Sequence, residues 1–236
     1  MTAAGPGPVI PNFGQGSACV TGNHFFCWGW VRQHWGDTLE PHLVQHVELT
    51  VIAVAIGFAI AFALALVSHR LRVLDQPIAI TAGLIYTIPS VVAFEILIAY
   101  FGLSNTTVVI PLVGYSLVIL YPNIVSGLRS APPEVLEAAR GMGLEPRQML
   151  WRVEVPLALP SIIGGLRIAV VSTVAIATVA SLVGDRGLGY PIFYALQLPT
   201  PFKTEIYSAG VLVVGLALGF DLVLVAARRI LVRWAQ

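Results

Sequence analysis

The chain has 236 residues, of which 57% are hydrophobic and only 11% are charged. Soluble domains average roughly 25% charged residues, and a soluble fold of this size would have too little polar surface to face water. The formal net charge of +1 also excludes the basic surface of a nucleic-acid-binding protein. We therefore expect an all-α membrane protein and exclude a secreted enzyme.

Residues 1–41 precede the first long apolar stretch, and we expect them to form an extracytoplasmic or interfacial tail. The first residues have neither a basic n-region nor an apolar h-region, so no cleaved signal peptide is predicted. Cys19 and Cys27 lie in this tail and do not have the spacing of a zinc site. The sequence is equally compatible with a disulfide between them and with two free thiols. Three of the eleven residues 25–35 are Trp, which favours the membrane interface. His42 and His46 are four residues apart, a spacing at which two histidines of a helix can bind one metal ion, but no third ligand is evident.

Five apolar stretches are each long enough to cross the hydrocarbon core. Nine arginines lie in the segments on one side of these stretches, and three basic residues lie on the other side. The positive-inside rule therefore predicts five spans, with the N-terminus outside and the C-terminus inside. Pro89, Pro122 and Pro160 lie within stretches, where neighbouring helices can satisfy the freed carbonyls. The stretches are residues 47–67, 78–100, 108–128, 157–183 and 206–227.

The loop between the third and fourth stretches, at about residues 129–156, contains a spaced motif. It reads E-A-A, three residues, Gly, nine residues, and then V-x-V-P. This resembles the EAA loop of ABC importer permeases, with Val153 and Val155 as conservative replacements for Ile and Leu. The matching positions are Glu137, Ala138, Ala139, Gly143 and Pro156.

The resemblance implies that this loop forms a coupling helix that docks on a separate ATP-binding subunit. Pro132 and Pro133 suit the start of such a helix, and acids in its first turn suit the helix dipole. The two small alanines permit close approach to a partner, Gly143 ends the helix, and Leu144 can turn toward the partner. The sequence contains no GxxxxGK[ST] motif, so we expect ATP and Mg to bind the partner and no cofactor to bind this chain.

Four further segments extend the resemblance to permeases for glycine betaine, choline, carnitine and related osmoprotectants. It implies a type I ABC importer permease domain over residues 42–236, in a bacterial cytoplasmic membrane. The implied partners are an ATP-binding subunit, an external substrate-binding protein and a second permease, either a copy of this chain or a paralogue. Asp185, Arg186 and Glu95 depart from the family pattern. The segments are TIPSVVAF, YPNIVSGLRS, LPSIIGGLRIA and GDRGLGYPIF.

Two alternatives remain open at this point. A permease for methionine or another amino-acid-like solute would carry the same loop, and a secondary transporter or membrane scaffold would need no ATPase. No nucleophile and base are paired in the sequence, so we expect a transport subunit and not an enzyme.

Ionisable and polar residues inside the stretches are candidates for the solute pathway. Glu95 could face a cationic solute, pair with Arg167 or meet outer water. For Arg167 a structural role is favoured, and for Asp221 a snorkelling or paired acid. Six glycines in the stretches (57, 83, 164, 165, 215 and 219) are predicted to allow close helix packing. The pathway candidates are Tyr86, Pro89, Ser90, Glu95, Asn123 and Thr178.

Overall fold

The computed structural model describes residues 17–232, and within them every regular element is helical. Turns of π-helix at Trp35–Leu39 and Leu150–Glu154 lead into long helices. Short 3₁₀ turns occupy Arg72–Leu74 and Val179–Val183. The α-helices are α1 (Ala18–Thr21), α2 (Trp28–Gln33), α3 (Glu40–Arg70), α4 (Asp75–Thr87), α5 (Ser90–Phe101), α6 (Asn105–Leu128), α7 (Pro133–Gly141), α8 (Pro146–Met149), α9 (Val155–Thr178), α10 (Gly189–Gln197) and α11 (Lys203–Leu231).

Four continuous helical segments of the described chain are long and apolar enough to cross a membrane. They correspond to the first, third, fourth and fifth predicted stretches, although each extends beyond the predicted bounds. The second stretch is divided into α4 and α5, which are bent by 89° relative to each other, so it is not one continuous helix. The structure has five spans if this bent pair is counted as one of them. The segments are Trp35–Arg70, Asn105–Leu128, Pro146–Val183 and Lys203–Leu231.

The bend between α4 and α5 has a local cause. Pro89 lacks an N–H and pushes the residue before it out of the α region, and Ile88 is accordingly extended at φ −70° and ψ 123°. The Tyr115 hydroxyl on α6 donates a hydrogen bond of 2.6 Å to the Ile88 carbonyl. The Ile88 carbonyl, which would accept from a helix N–H in a continuous helix, therefore still has a hydrogen-bond donor at the bend.

Helices α3, α6 and α9 pack together and form the core of the bundle. Small residues allow this: a Cβ on Gly165 of α9 would lie 2.5 Å from the Asn123 Cβ of α6. A Cβ on Gly57 of α3 would likewise lie 2.0 Å from the Ser116 Oγ. The prediction of close packing is confirmed for these two glycines. It is wrong for the other four, whose Cβ positions face open space: Gly83, Gly164, Gly215 and Gly219.

The N-terminal helices pack against the start of α11 and against α10, and a disulfide joins Cys19 to Cys27. The Asn23 amide donates to the Pro201 carbonyl at 2.9 Å and accepts from the Lys203 N–H at 3.0 Å. Trp30 is buried, with its ring 5.3 Å from that of Phe202. We call this region the disulfide end; it comprises α1, α2, the start of α3, the loop before α10, α10 and the start of α11.

Candidate functional site

Helix α7 is the predicted coupling helix, and its two ends follow from its sequence. It begins at Pro133. An N–H in the first turn of a helix has no helical acceptor, so the N–H that proline lacks is not missed at this position. It ends in a Schellman motif, in which the Leu144 N–H donates to the Ala139 carbonyl at 3.2 Å and the Gly143 N–H to the Arg140 carbonyl at 2.9 Å. Gly143 has φ +80°, a backbone conformation that only glycine adopts at little cost.

The faces of α7 divide the predicted coupling residues into two sets. Glu137, Ala138 and Gly143 are exposed and available to a partner. Ala139 is 2% exposed, so its methyl group contacts this chain rather than a docked subunit. Leu144 is half-buried after the turn, and Pro156 is half-buried in the first turn of α9.

Contacts between ionisable side chains hold the ends of the neighbouring helices around this loop. His69 at the end of α3 lies 2.9 Å from Glu154, just before α9. Asp75 at the start of α4 pairs with Arg129 and accepts a hydrogen bond of 2.8 Å from the Tyr121 hydroxyl. We call this region, α7, α8 and the adjoining ends of α3, α4, α6 and α9, the coupling end.

A cleft of about 840 Å³ opens at the coupling end, between α7, α8 and the end of α3. Its lining carries three arginines and two glutamates, one of which is the Glu154 already paired with His69. The arginines are Arg70, Arg140 and Arg147. The cleft lining therefore carries more arginines than carboxylates, whereas the exposed face of α7 next to it carries Glu134 and Glu137.

The predicted pathway candidates do not form one cluster. Tyr86, Pro89 and Ser90 lie at the bend between α4 and α5, where the Tyr86 ring meets the edge of the Tyr115 ring at 5.8 Å between centroids. Glu95 is exposed on α5. Thr178 ends α9, and its hydroxyl donates to the Val174 carbonyl at 3.1 Å.

Asn123 lies in a separate cavity of about 590 Å³, where α9 and α11 meet. The Arg167 guanidinium spans both carboxylate oxygens of Asp221, with Nε 2.7 Å from Oδ1 and Nη2 2.9 Å from Oδ2. The possible pairing of Glu95 with Arg167 is therefore wrong. The remaining lining residues are Ser161, Gly164, Ile168, Val171 and Ser172.

The loop before α10 is tied to the start of α3. His46 is buried, donates from Nε2 to the Val174 carbonyl and accepts at Nδ1 from the Leu188 N–H, both at 3.1 Å. His42 Nε2 lies 2.6 Å from the Asp185 carboxylate. Arg186 donates to the Leu103 carbonyl at 3.0 Å. The two histidines thus have structural partners, and no group of metal ligands occurs among residues 17–232.

The profile of one protein family, described as the binding-protein-dependent transport system inner membrane component, matches residues 43–235. The match covers most of the chain. This chain belongs to that family. It is therefore a multi-pass protein of the cytoplasmic membrane and a transport subunit, and the resemblance to ABC importer permeases is confirmed.

Several relatives of this permease are known. The choline transport system permease protein OpuBB of Bacillus subtilis is 32% identical over 194 residues, covering 82% of this chain and 88% of that protein. The glycine betaine/carnitine/choline transport system permease protein OpuCB of the same organism is 29% identical, covering 78% and 84%. The osmoprotectant import permease OsmW of Salmonella typhimurium is 37% identical over 150 residues, covering 61% and 70%.

A solved structure shares the fold of the permease. It is an inward-facing form of the MetNI methionine ABC transporter, matched with a TM-score of 0.74 over 85% of this chain and 98% of the solved chain. Sequence identity is 19%, so the likeness concerns the fold alone. The chain thus has the permease fold of the type I ABC importers.

Proposed function

We propose that this permease forms the pathway of an ATP-driven importer for quaternary ammonium osmoprotectants, such as glycine betaine, choline or carnitine. The observation that carries the proposal is the similarity to the choline permease OpuBB, which extends over 82% of this chain. Two other relatives with osmoprotectants in their names, OpuCB and OsmW, support the same class of solute.

The proposed assembly has two permeases, two ATP-binding subunits and an external substrate-binding protein. ATP and Mg would bind the ATP-binding subunits, and this chain would hold no cofactor. The exposed residues of α7, Glu137 and Ala138, would enter a groove of the ATP-binding subunit. Gly143 would set the direction in which the backbone leaves α7. Closure of the two ATP-binding subunits would then move the coupling helices together and open the pathway to the outer side of the membrane.

The proposed topology has five crossings, with α4 and α5 together as the second. Residues 1–41 would lie outside the membrane, the permease domain would be residues 42–236, and the coupling end would face the cytoplasm. The excess of arginine at the coupling end supports this orientation. Residues at the bend would line the pathway, together with Glu95, Asn123 and Thr178; those at the bend are Tyr86, Pro89 and Ser90.

Uptake of labelled solutes tests the proposal. The permease and its partner genes would be expressed in a host without betaine or choline transport, at low and high osmolality. We expect saturable uptake of at least one labelled solute, lost when the P-loop lysine of the ATP-binding subunit is replaced. Uptake that survives this replacement would favour a secondary transporter. A complex that hydrolyses ATP but takes up none of the three solutes would redirect the search to methionine and similar amino acids.

A further inference from the structure

The ion pair of Arg167 and Asp221 faces an open cavity instead of the packed core. About a third of each side chain is exposed, 32% for Arg167 and 28% for Asp221. Both oxygens of the carboxylate accept from the guanidinium in a two-pronged arrangement. Such a pair is oriented firmly, yet both charges remain accessible from the cavity.

The pair also lies deep within the spanning helices. Arg167 is eleven residues before Thr178, which ends α9, and Asp221 is ten residues before Leu231, which ends α11. At about 1.5 Å per residue, each charge is therefore some 15–18 Å from the nearer helix end. Charges at that depth are costly in contact with lipid and mark pathways for solutes or ions.

The two sides of α11 differ in the polarity of the side chains that line them. On one side, a groove between α3, α9 and α11 is lined almost entirely by apolar side chains, including Phe58, Val170 and Phe220, as expected for contact with lipid. On the other side, the cavity carries the ion pair together with Asn123, Ser161 and Ser172. This polar side therefore faces water or protein.

We propose that Arg167 and Asp221 together bind a zwitterionic solute, the guanidinium taking its carboxylate and the Asp221 carboxylate its quaternary ammonium group. This inference rests on the proposed function and specifies its solute class. A zwitterion inserted between the two side chains leaves every charge paired. A cation without a carboxylate, such as choline, would pair with Asp221 and leave Arg167 without an anion. The site therefore selects glycine betaine and carnitine over choline.

Protection of an introduced thiol tests binding at this site without the external binding protein. Ser172→Cys places a thiol in the cavity wall, and the two native cysteines are joined in a disulfide. In purified complex, we expect a water-soluble methanethiosulfonate reagent to label Cys at 172. Glycine betaine should slow the labelling at a concentration about tenfold lower than choline requires, as expected for one unpaired charge.

Two further variants complete the test. Leu222→Cys, next to Asp221 but exposed outside the cavity, is the control: neither betaine nor choline should slow its labelling. Combining Arg167→Gln with Asp221→Asn removes both charges without leaving either unpaired. In this background, Ser172→Cys should be labelled, and betaine and choline should protect equally.

Three results would overturn the inference: no labelling at position 172, no protection by betaine, or equal protection by both solutes with the ion pair intact. Any of these, in a complex that imports betaine or choline with ATP, leaves the proposed function standing and assigns the pair to packing of α9 against α11. Absence of ATP-dependent uptake of all three solutes by the unaltered complex would instead defeat the proposed function.

Discussion

The two ends of the bundle are held together by different kinds of bond. At the coupling end, ionisable side chains join separate helices, as in the contact between His69 and Glu154 and the ion pair of Asp75 and Arg129. At the disulfide end, a covalent link and hydrogen bonds between side chains and backbone hold the elements. Ion pairs near a surface are screened by salt and exchange readily, whereas buried neutral hydrogen bonds are costly to break.

This difference indicates which end can move. Helix α7 makes few contacts with the rest of the chain and buries little beyond Ala139 and part of Leu136, so it can shift with a docked subunit. The loop before α10 is fixed by buried His46 and by Gln45, whose side chain accepts the Gly187 N–H at 2.7 Å. We therefore expect substitutions at the coupling end to affect transport, and those at the disulfide end to affect stability.

The largest effect on transport is expected for Gly143→Asp. A non-glycine residue at φ +80° costs about 1–2 kcal/mol, and the Schellman motif that ends α7 would be distorted. Uptake should fall about tenfold or more, while ATP hydrolysis by the complex persists. The matched control is Gly141→Asp, which adds the same charge two residues away at an open helical position and should keep most of the uptake. Equal loss in both variants would assign the effect to charge and not to the turn.

At the disulfide end, His46→Leu should destabilise the folded protein by about 1–3 kcal/mol, because the Leu188 N–H loses its acceptor in a buried position. Thermal unfolding in detergent measures the change. His24→Leu, on an exposed residue of the same end, should leave the unfolding temperature nearly unaltered. A similar shift in both variants would contradict the importance assigned to His46.

A smaller effect is expected for Asp75→Asn, which keeps an acceptor for the Tyr121 hydroxyl but removes the ion pair with Arg129. Both side chains are about one-third exposed, so the loss should be about 1 kcal/mol or less. The difference from the unaltered protein should shrink as salt is added. The loss of stability in His46→Leu should not change with salt in this way. An equal response of the two variants to salt would contradict the distinction between the two ends.

The smallest effect on uptake is expected when the disulfide is removed by Cys19→Ser with Cys27→Ser. The bond closes a short loop of the N-terminal segment, away from α7. Its loss should make residues around α1 and α2 sensitive to added protease, with uptake unchanged. Reductant should produce the same sensitivity in the unaltered protein and add nothing in the double variant. A marked loss of uptake would show that the disulfide end takes part in transport.

The coupling helix could be predicted from the sequence because its determinants are local. Pro133, the adjacent alanines 138 and 139 and Gly143 lie within eleven residues, and each acts through its own stretch of backbone. Pro89 likewise placed a residue without an N–H inside the second stretch. The angle of the bend could not be predicted, nor could the role of Tyr115, 27 residues away, as the hydrogen-bond donor to Ile88.

The cavity could be predicted only in part. Arg167 and Asp221 were each recognisable as ionisable residues within apolar stretches, but 54 residues separate them and no spacing rule joins them. Their pairing depends on how α11 packs against α9. The position of Trp30 also escaped prediction, because a tryptophan-rich segment suits a membrane interface and a protein contact equally well.

The central claim, that α7 passes force from an ATP-binding subunit, can be tested by photo-crosslinking. Benzoylphenylalanine would replace Glu137 on α7 in one variant and Phe25, an exposed residue of the disulfide end, in another. We predict that illumination of membranes joins the permease to a P-loop ATP-binding subunit from position 137 and not from position 25. A complex that co-purifies with the ATP-binding subunit but crosslinks to it from position 25, or from neither position, would contradict the account.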